Sequence, residues 1–159
     1  MPELPEVESV RRQLAPVLEG CRLVRVEISD GRLTRPEDPE RVARELEGER
    51  VVAVDRRGKY LIFRFESGAA LLVHLRMTGS FRTTGSFRGG VAEQRAAGLL
   101  PDDPHRRAVA TLDDGSDVAY RDVRRFGTWL LLEPGELDPY LAARLGPEPI
   151  GAAFRARDL

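Results

Sequence analysis

With 159 residues and a formal net charge of −1, from 25 basic and 26 acidic side chains, the chain can form one domain with a real core but offers no bulk charge for binding nucleic acid. A single cysteine excludes a disulfide framework and a thiolate zinc site within these residues, and two histidines argue against a histidine-rich metal site. The acidic opening is unlike a signal peptide and no apolar run approaches membrane-spanning length, so a soluble, cytoplasmic protein is expected.

In chain order, Val7, Val10, Leu14, Val17 and Leu18 recur at helical spacing, with Gly20 as a stop. Leu23 to Ser29 alternates and reads as a strand, and Asp38-Pro39 opens a short helix through Val42 and Leu46. The period then switches to two. Arg50 to Arg56, Tyr60 to Phe65 and Ala69 to Leu75 read as strands, with turns at Arg57-Gly58 and Ser67-Gly68. A further hairpin joins Val109–Leu112 to Val118–Tyr120 through Asp113-Asp114-Gly115. Thr128 to Leu132 is another strand, and a last helix runs from about Leu137 to Leu145. Between Thr83 and Pro104 the periodicity fails. Thr78-Gly79-Ser80-Phe81-Arg82 is echoed there by Thr84-Gly85-Ser86-Phe87-Arg88, and the stretch reads as a mobile loop rather than an architectural repeat. This pattern predicts a mainly β fold with flanking helices: an antiparallel two-layer β-sandwich whose N-terminal helix carries the active-site terminus.

Chemistry is concentrated in short segments. Removal of Met1 leaves Pro2 as a free secondary amine. Ordinary α-amino groups have pKa values near 8, so roughly a tenth is neutral and nucleophilic at pH 7. Condensed with a sugar aldehyde carbon, a secondary amine gives an iminium that has no N–H proton to lose and acts as an electron sink. Glu3 is the adjacent proton donor. The same residues also make an ordinary helix start, with Pro5 in the first turn and Glu3, Glu6 and Glu8 at the positive end of the dipole. A helix start beside the amine disfavours the ammonium form, so the two readings are compatible.

Basic residues are unevenly spread. Arg56, Arg57, Lys59, Arg64, Arg76, Arg82 and Arg88 face only Glu66 on the acidic side, and Arg121, Arg124 and Arg125 form a second group. Charge counting by itself reads first as a solvated strand face, and it is also compatible with a phosphate-bearing partner. Arg57-Gly58-Lys59-Tyr60 places a lysine at a turn where glycine allows close approach to a ligand. His74-Leu75-Arg76-Met77-Thr78-Gly79 ends an apolar strand with a methionine that is either core filler or an exposed wedge. Arg124-Arg125-Phe126-Gly127 offers guanidiniums for phosphates and base edges and an aromatic plane. Wedges and an arginine on separate strand ends, beside an amine nucleophile, describe the extrusion of a base from a duplex.

Taken together, Pro2-Glu3-Leu4-Pro5-Glu6-Val7-Glu8, Arg56-Arg57-Gly58-Lys59-Tyr60-Leu61, His74-Leu75-Arg76-Met77-Thr78-Gly79-Ser80 and Asp122-Val123-Arg124-Arg125-Phe126-Gly127 resemble the formamidopyrimidine-DNA glycosylase/endonuclease VIII family, and its formamidopyrimidine branch more closely. The resemblance implies a bifunctional DNA glycosylase and AP lyase of base excision repair. Its substrates would be 8-oxoguanine, formamidopyrimidines and abasic sites in double-stranded DNA. Pro2 matches the nucleophile, Glu3 the proton donor, Lys59 the lysine of β-elimination and phosphate contact, and Glu6 a further active-site carboxylate. Met77, Arg124 and Phe126 match the residues that fill the gap left by the flipped base. His74, Arg125 and His105 complete the expected DNA contacts, although Pro104-His105-Arg106-Arg107 departs from the family's usual run. Val123 stands where the family has a proline.

The family continues into a helix–two-turn–helix region and a four-cysteine zinc finger. Residues 1–145 are therefore expected to be the catalytic domain, and 146–159 a linker toward that absent region. Zinc belongs only there, and no cofactor is expected in this chain. A monomer in the cytoplasm, associated with the nucleoid, is expected, with activity impaired by the loss of phosphate contacts. Two other readings stand beside this one: a damaged-DNA-binding remnant without catalysis, and an amino-terminal-proline tautomerase in which Pro2 is a general base. The tautomerase leaves the arginine tip and the Met77 wedge without a purpose.

Overall fold

The structure is a computed structural model that describes residues 4–83 and 103–145. Helix α1 (Leu4–Leu18) opens the chain, with Val7, Leu14, Val17 and Leu18 buried along one face. Strand β1 (Leu23–Ile28) follows, then α2 (Pro39–Leu46), whose first turn is capped by the Asp38 carboxylate accepting the Glu40 N–H at 3.3 Å. Strands β2 (Val51–Arg57), β3 (Tyr60–Phe65), β4 (Ala70–His74) and β5 (Gly79–Thr83) come next. Beyond residue 103 lie β6 (Arg106–Leu112), β7 (Asp117–Asp122), β8 (Thr128–Leu132) and α3 (Leu137–Leu145).

The strands form two antiparallel four-stranded sheets, in the orders β1-β6-β7-β5 and β2-β3-β4-β8. Val26, Leu112, Val118 and Tyr120 of the first meet Val54, Leu61, Phe63, Leu71, Val73 and Trp129 of the second in one core, and α1 and α2 close its side. The outer face of the second sheet is covered by α3, with Leu137 and Leu141 packed on Ile62, Ala70, Leu72 and Leu132. Burial on both faces explains why β3 and β4 carry the apolar runs Leu-Ile-Phe and Ala-Leu-Leu-Val instead of alternating. The expected two-layer sandwich is thus the observed fold.

Local departures have physical causes. A register shift in β1 between Leu23 and Arg25 turns Val24 outward, to 55 % exposure, despite the apolar-polar pattern around it. A similar shift in β6 between Arg106 and Ala108 starts that strand three residues before the expected Val109. The expected hairpin lacks one partner: β5, which overlaps the Thr78–Arg82 half of the tandem echo, pairs with β7 as an edge strand. It escapes detection because its one core aromatic is Phe81, between polar neighbours. Most of the loop read between Thr83 and Pro104, with the second half of the echo, lies outside the described residues, as does the linker expected at 146–159.

Leu61 is completely buried between the sheets. Leu61→Ala is expected to lower the free energy of unfolding by about 2–5 kcal/mol, whereas Val24→Ala shifts it by no more than about 0.5 kcal/mol. Urea denaturation of the two variants side by side checks this.

Candidate functional site

All the motifs picked out in the sequence that fall on described residues converge on one end of the sandwich. Arg57 pairs with Tyr60, leaving Gly58-Lys59 as a two-residue loop between β2 and β3. Gly58 has φ +60° and Lys59 does not share the left-handed region, the pattern of a type II′ turn that glycine makes accessible. Tyr60 lies opposite His74 at the end of β4, and His74 opposite Thr128 at the start of β8. Gly79 at the start of β5 faces Asp122 at the end of β7. Helix α1 runs antiparallel to β2: Gly20 donates to the Val51 carbonyl at 2.8 Å, while Glu8 meets Arg56 at 2.9 Å. Its first turn, with exposed Glu6, therefore stands at the Lys59 end.

Two loops at this end are built around one carboxylate. Asp122 is buried, and its Oδ1 accepts the Thr78 hydroxyl and, at 3.1 Å, the Arg125 N–H. Its Oδ2 accepts the Gly127 N–H at 2.8 Å and the Tyr120 hydroxyl at 3.1 Å. Thr78 in turn accepts the Arg124 N–H at 3.0 Å, so the loop after β4 and the loop after β7 are stitched together. Burial and the neighbouring Asp122 push the Tyr120 phenol well up, keeping it a donor. A Cβ on Gly127 would fall 2.7 Å from Asp122 Oδ2, and one on Gly79 would fall 2.7 Å from the Leu75 carbonyl oxygen; both would collide with the Tyr120 hydroxyl. Only glycine lets these backbones approach so closely.

Each loop has the same device. Arg76 (φ 56°) and Arg125 (φ 64°) are the non-glycine residues with left-handed backbone among those described, and each immediately precedes an exposed apolar side chain. Met77 is 50 % exposed and Phe126 47 %, which settles Met77 as a projecting side chain rather than core filler. Val123, 50 % exposed, joins them.

The charges divide into internal and free. Arg125 is held by the buried Asp30, with contacts of 2.8 and 2.7 Å from Nε and Nη2. Arg121 pairs with Asp103, Arg64 with Asp55 and Arg56 with Glu8, so much of the basic excess counted in the sequence is internally neutralised. Lys59, Arg76 and Arg124 have no ion-pair partner among the described residues. The field of Arg76 and Lys59 is visible in His74, whose pKa is pushed down to about 4 by burial first and then by those two cations. The neutral ring accepts the Arg76 N–H on Nδ1 at 3.2 Å and stacks edge-on against Tyr60, centroids 5.1 Å apart.

His105 lies beneath the same loops. Its carbonyl accepts the Asp122 N–H at 2.9 Å, its N–H donates to Asp103 at 3.0 Å, and its Nδ1 is buried without a partner among the described residues. Arg107, at the β6 irregularity, donates to the Asp122 carbonyl at 2.9 Å and to the Pro104 carbonyl at 3.2 Å. Pro2 and Glu3 lie outside the described residues. Among the described residues, no group of three or more His, Cys, Asp or Glu side chains is placed to hold a metal ion, and no helix is long and apolar enough to cross a membrane.

Sequence reasoning missed Asp122, Thr78, Tyr120 and Asp30 as site builders. Asp122 opened a recognised motif, but an aspartate at a strand end looks like any turn former. Asp30 and Arg125 are 95 residues apart, and no local signal joins them.

The chain matches the family model described as formamidopyrimidine-DNA glycosylase N-terminal domain over residues 1–129. It is similar to the formamidopyrimidine-DNA glycosylase of Caulobacter sp. strain K31, 43 % identical over 164 residues, covering 100 % of this chain and 55 % of the relative. The Bacillus subtilis protein of that name is 40 % identical, covering 97 % of this chain and 52 % of its own. The Lactococcus lactis Fpg, solved with abasic-site DNA, superposes with TM-score 0.75 and 32 % identity, over 89 % of this chain and 48 % of that one. A second complex of that protein, with DNA containing FAPY-dG, gives TM-score 0.74 at 32 % identity over the same shares. The chain thus spans about half the length of the relatives it matches.

Asp122→Asn keeps the shape but turns one acceptor oxygen into a donor facing other donors, so a loss of about 2–3 kcal/mol in urea denaturation is expected. His74 gives a pH signature. The folded ring takes up its proton near pH 4 and the unfolded one near 6.5, so the unfolded state binds more protons between them. Stability is expected to fall as pH drops from about 6.5 to 4. In His74→Gln that segment of the stability profile flattens, and NMR titration of the parent ring places its midpoint near 4.

Proposed function

The chain belongs to the formamidopyrimidine-DNA glycosylase family through its N-terminal domain, and from that premise we propose that it is the catalytic half of a bifunctional DNA glycosylase and AP lyase acting on oxidised purines and abasic sites in duplex DNA. The observation that carries this reading is the convergence, at one end of the sandwich, of the start of α1, the Lys59 turn and two projecting side chains, Met77 and Phe126. Pro2 precedes the helix start at Leu4 by two residues, a reach of roughly 7 Å at most.

In the proposed reaction the neutral Pro2 nitrogen bonds to the deoxyribose C1′, and the damaged base leaves with a proton. Glu3 protonates the ring oxygen as the sugar opens, giving the C1′ iminium. Loss of the C2′ proton converts the iminium to an enamine, and that electron pair expels the 3′ phosphate in β-elimination. Hydrolysis then returns the amine. Lys59 serves the elimination and the departing phosphate, and Glu6 is a second carboxylate beside the amine. Met77 and Phe126 enter the stack where the base has left, and Arg124 contacts the orphaned partner base. Inserting such wedges costs a few kcal/mol of unstacking, which favours damaged or abasic positions where less stacking is lost. His74, kept neutral, supports the Arg76-Met77 turn without adding charge. Such a substrate places the protein in the cytoplasm with the nucleoid.

The test is reductive trapping: borohydride added to protein and abasic-site duplex converts the iminium to a stable covalent adduct. The parent chain is expected to give the adduct, and Pro2→Gly at least tenfold less. Lys59→Ala is expected to keep some trapping while strand cleavage falls by tenfold or more. Absence of an adduct from the parent at saturating DNA would sink the catalytic reading and leave a damaged-DNA-binding role. With Lys59 and Arg76 on phosphates, the logarithm of affinity is expected to fall with that of salt concentration at a slope of about −2.

A further inference from the structure

Glu8 lies one residue pair beyond Glu6 on α1, and its carboxylate gathers three guanidiniums: Arg11 at 2.7 Å, Arg56 at 2.9 Å and Arg12 at 3.1 Å. These hydrogen bonds, led by that from Arg11, hold its pKa down at about 2. Arg12 is a helical neighbour four residues on, whereas Arg11, three residues on, also donates to the Val54 carbonyl in the middle of β2 at 3.3 Å, away from the lysine turn. Arg56 is different. It stands on β2, 48 residues away, and its Nη1 also donates to the Gly58 carbonyl at 3.1 Å. That carbonyl belongs to the peptide unit leading into Lys59. A continuous hydrogen-bonded path therefore runs from α1 through Glu8, Arg56 and Gly58 to the lysine turn.

Apolar packing cannot supply the same constraint. Val7, Leu14, Val17 and Leu18 hold α1 against the sheet, but hydrophobic contact is non-directional and tolerates small slides along the axis. A two-armed guanidinium is directional and gripped at both ends. Glu8 is four residues from the helix start at Leu4, about 6 Å along the axis, so it acts close to the amino end.

We infer that Glu8 and Arg56 are a positioning pair that sets where the amino end of α1 stands against the Lys59 turn. This rests on the proposed function: the pair aligns the amine with the lysine so that the sugar carbon held by one is presented to the other. Neither residue touches the reacting atoms. Their loss acts on the chemical steps more than on DNA binding, because neither side chain is itself assigned to a phosphate and Lys59 and Arg76 keep their charges.

The test compares the parent chain with Glu8→Gln, Arg56→Met, their double variant and Arg56→Lys under single-turnover conditions on abasic duplex DNA. Each is read by DNA affinity, rate of borohydride-trapped adduct and rate of strand cleavage. Affinity is expected to stay within about twofold, while adduct formation and cleavage slow by tenfold or more. The double variant is expected to be no slower than the worse single variant, because both break one path. Arg56→Lys retains a charge for Glu8 but lacks the fork that reaches Gly58, so it is expected to fold as the parent does and still lose rate. Arg12→Ala removes an exposed partner of the same carboxylate and is expected to cleave at the parent rate. Single variants at parent rates, or a double variant slowed by the product of the single effects, would overturn the pairing while leaving the proposed function standing. A parent chain that forms no adduct overturns both.

Discussion

A single buried carboxylate holds the working end of this molecule together. Taking Asp122 out of water costs several kcal/mol unless its oxygens are fully engaged, and here two hydroxyls and two backbone N–H groups engage them. Those donors come from the end of β7 and from both loops beside it, so satisfying the charge and shaping the site are the same event. The two left-handed arginines cost of order 1–3 kcal/mol each, and they persist because the loops are tied down on either side. Gly79 and Gly127 are required for a steric reason: the Tyr120 hydroxyl occupies the space a Cβ would need.

The strain is placed where it has a use. In each loop the left-handed residue turns the chain so that the next side chain, Met77 or Phe126, leaves the core and projects into solvent. Exposing two large apolar side chains together is unfavourable for an isolated domain, and it makes sense for a surface that enters something stacked and apolar. The surrounding charge agrees. Acidic partners neutralise Arg56, Arg64, Arg121 and Arg125 inside the framework, and the unpaired cations among the described residues at this end are left facing outward. A chain of formal net charge −1 can thus present a locally positive end.

Much of this was legible in the sequence. The amphipathic α1, the strands β2 to β4, the β6–β7 hairpin and the Gly58-Lys59 turn follow from periodicity and turn chemistry, which are local properties. The ordered motifs were equally legible, because their residue types carry their chemistry with them. Edge strand β5 was not, since only Phe81 packs inward and an edge strand needs no apolar alternation. Nor was the outward turn of Val24, because a bulge shifts the register without changing composition. Counting arginines overstated the basic surface, since pairing with Asp30, Asp55 and Asp103 depends on chain segments that meet only after folding.

The amino-acid order alone determined the family and the two-layer antiparallel architecture, because each is written in short-range spacing. Tertiary structure decided which arginines remain free, that Asp122 joins two loops, and that Glu8 and Arg56 link the first helix to the lysine turn. The physical reason is range: hydrogen bonds and ion pairs act over about 3 Å, and partners 44 to 95 residues apart in sequence come that close only when the sheets close over a common core.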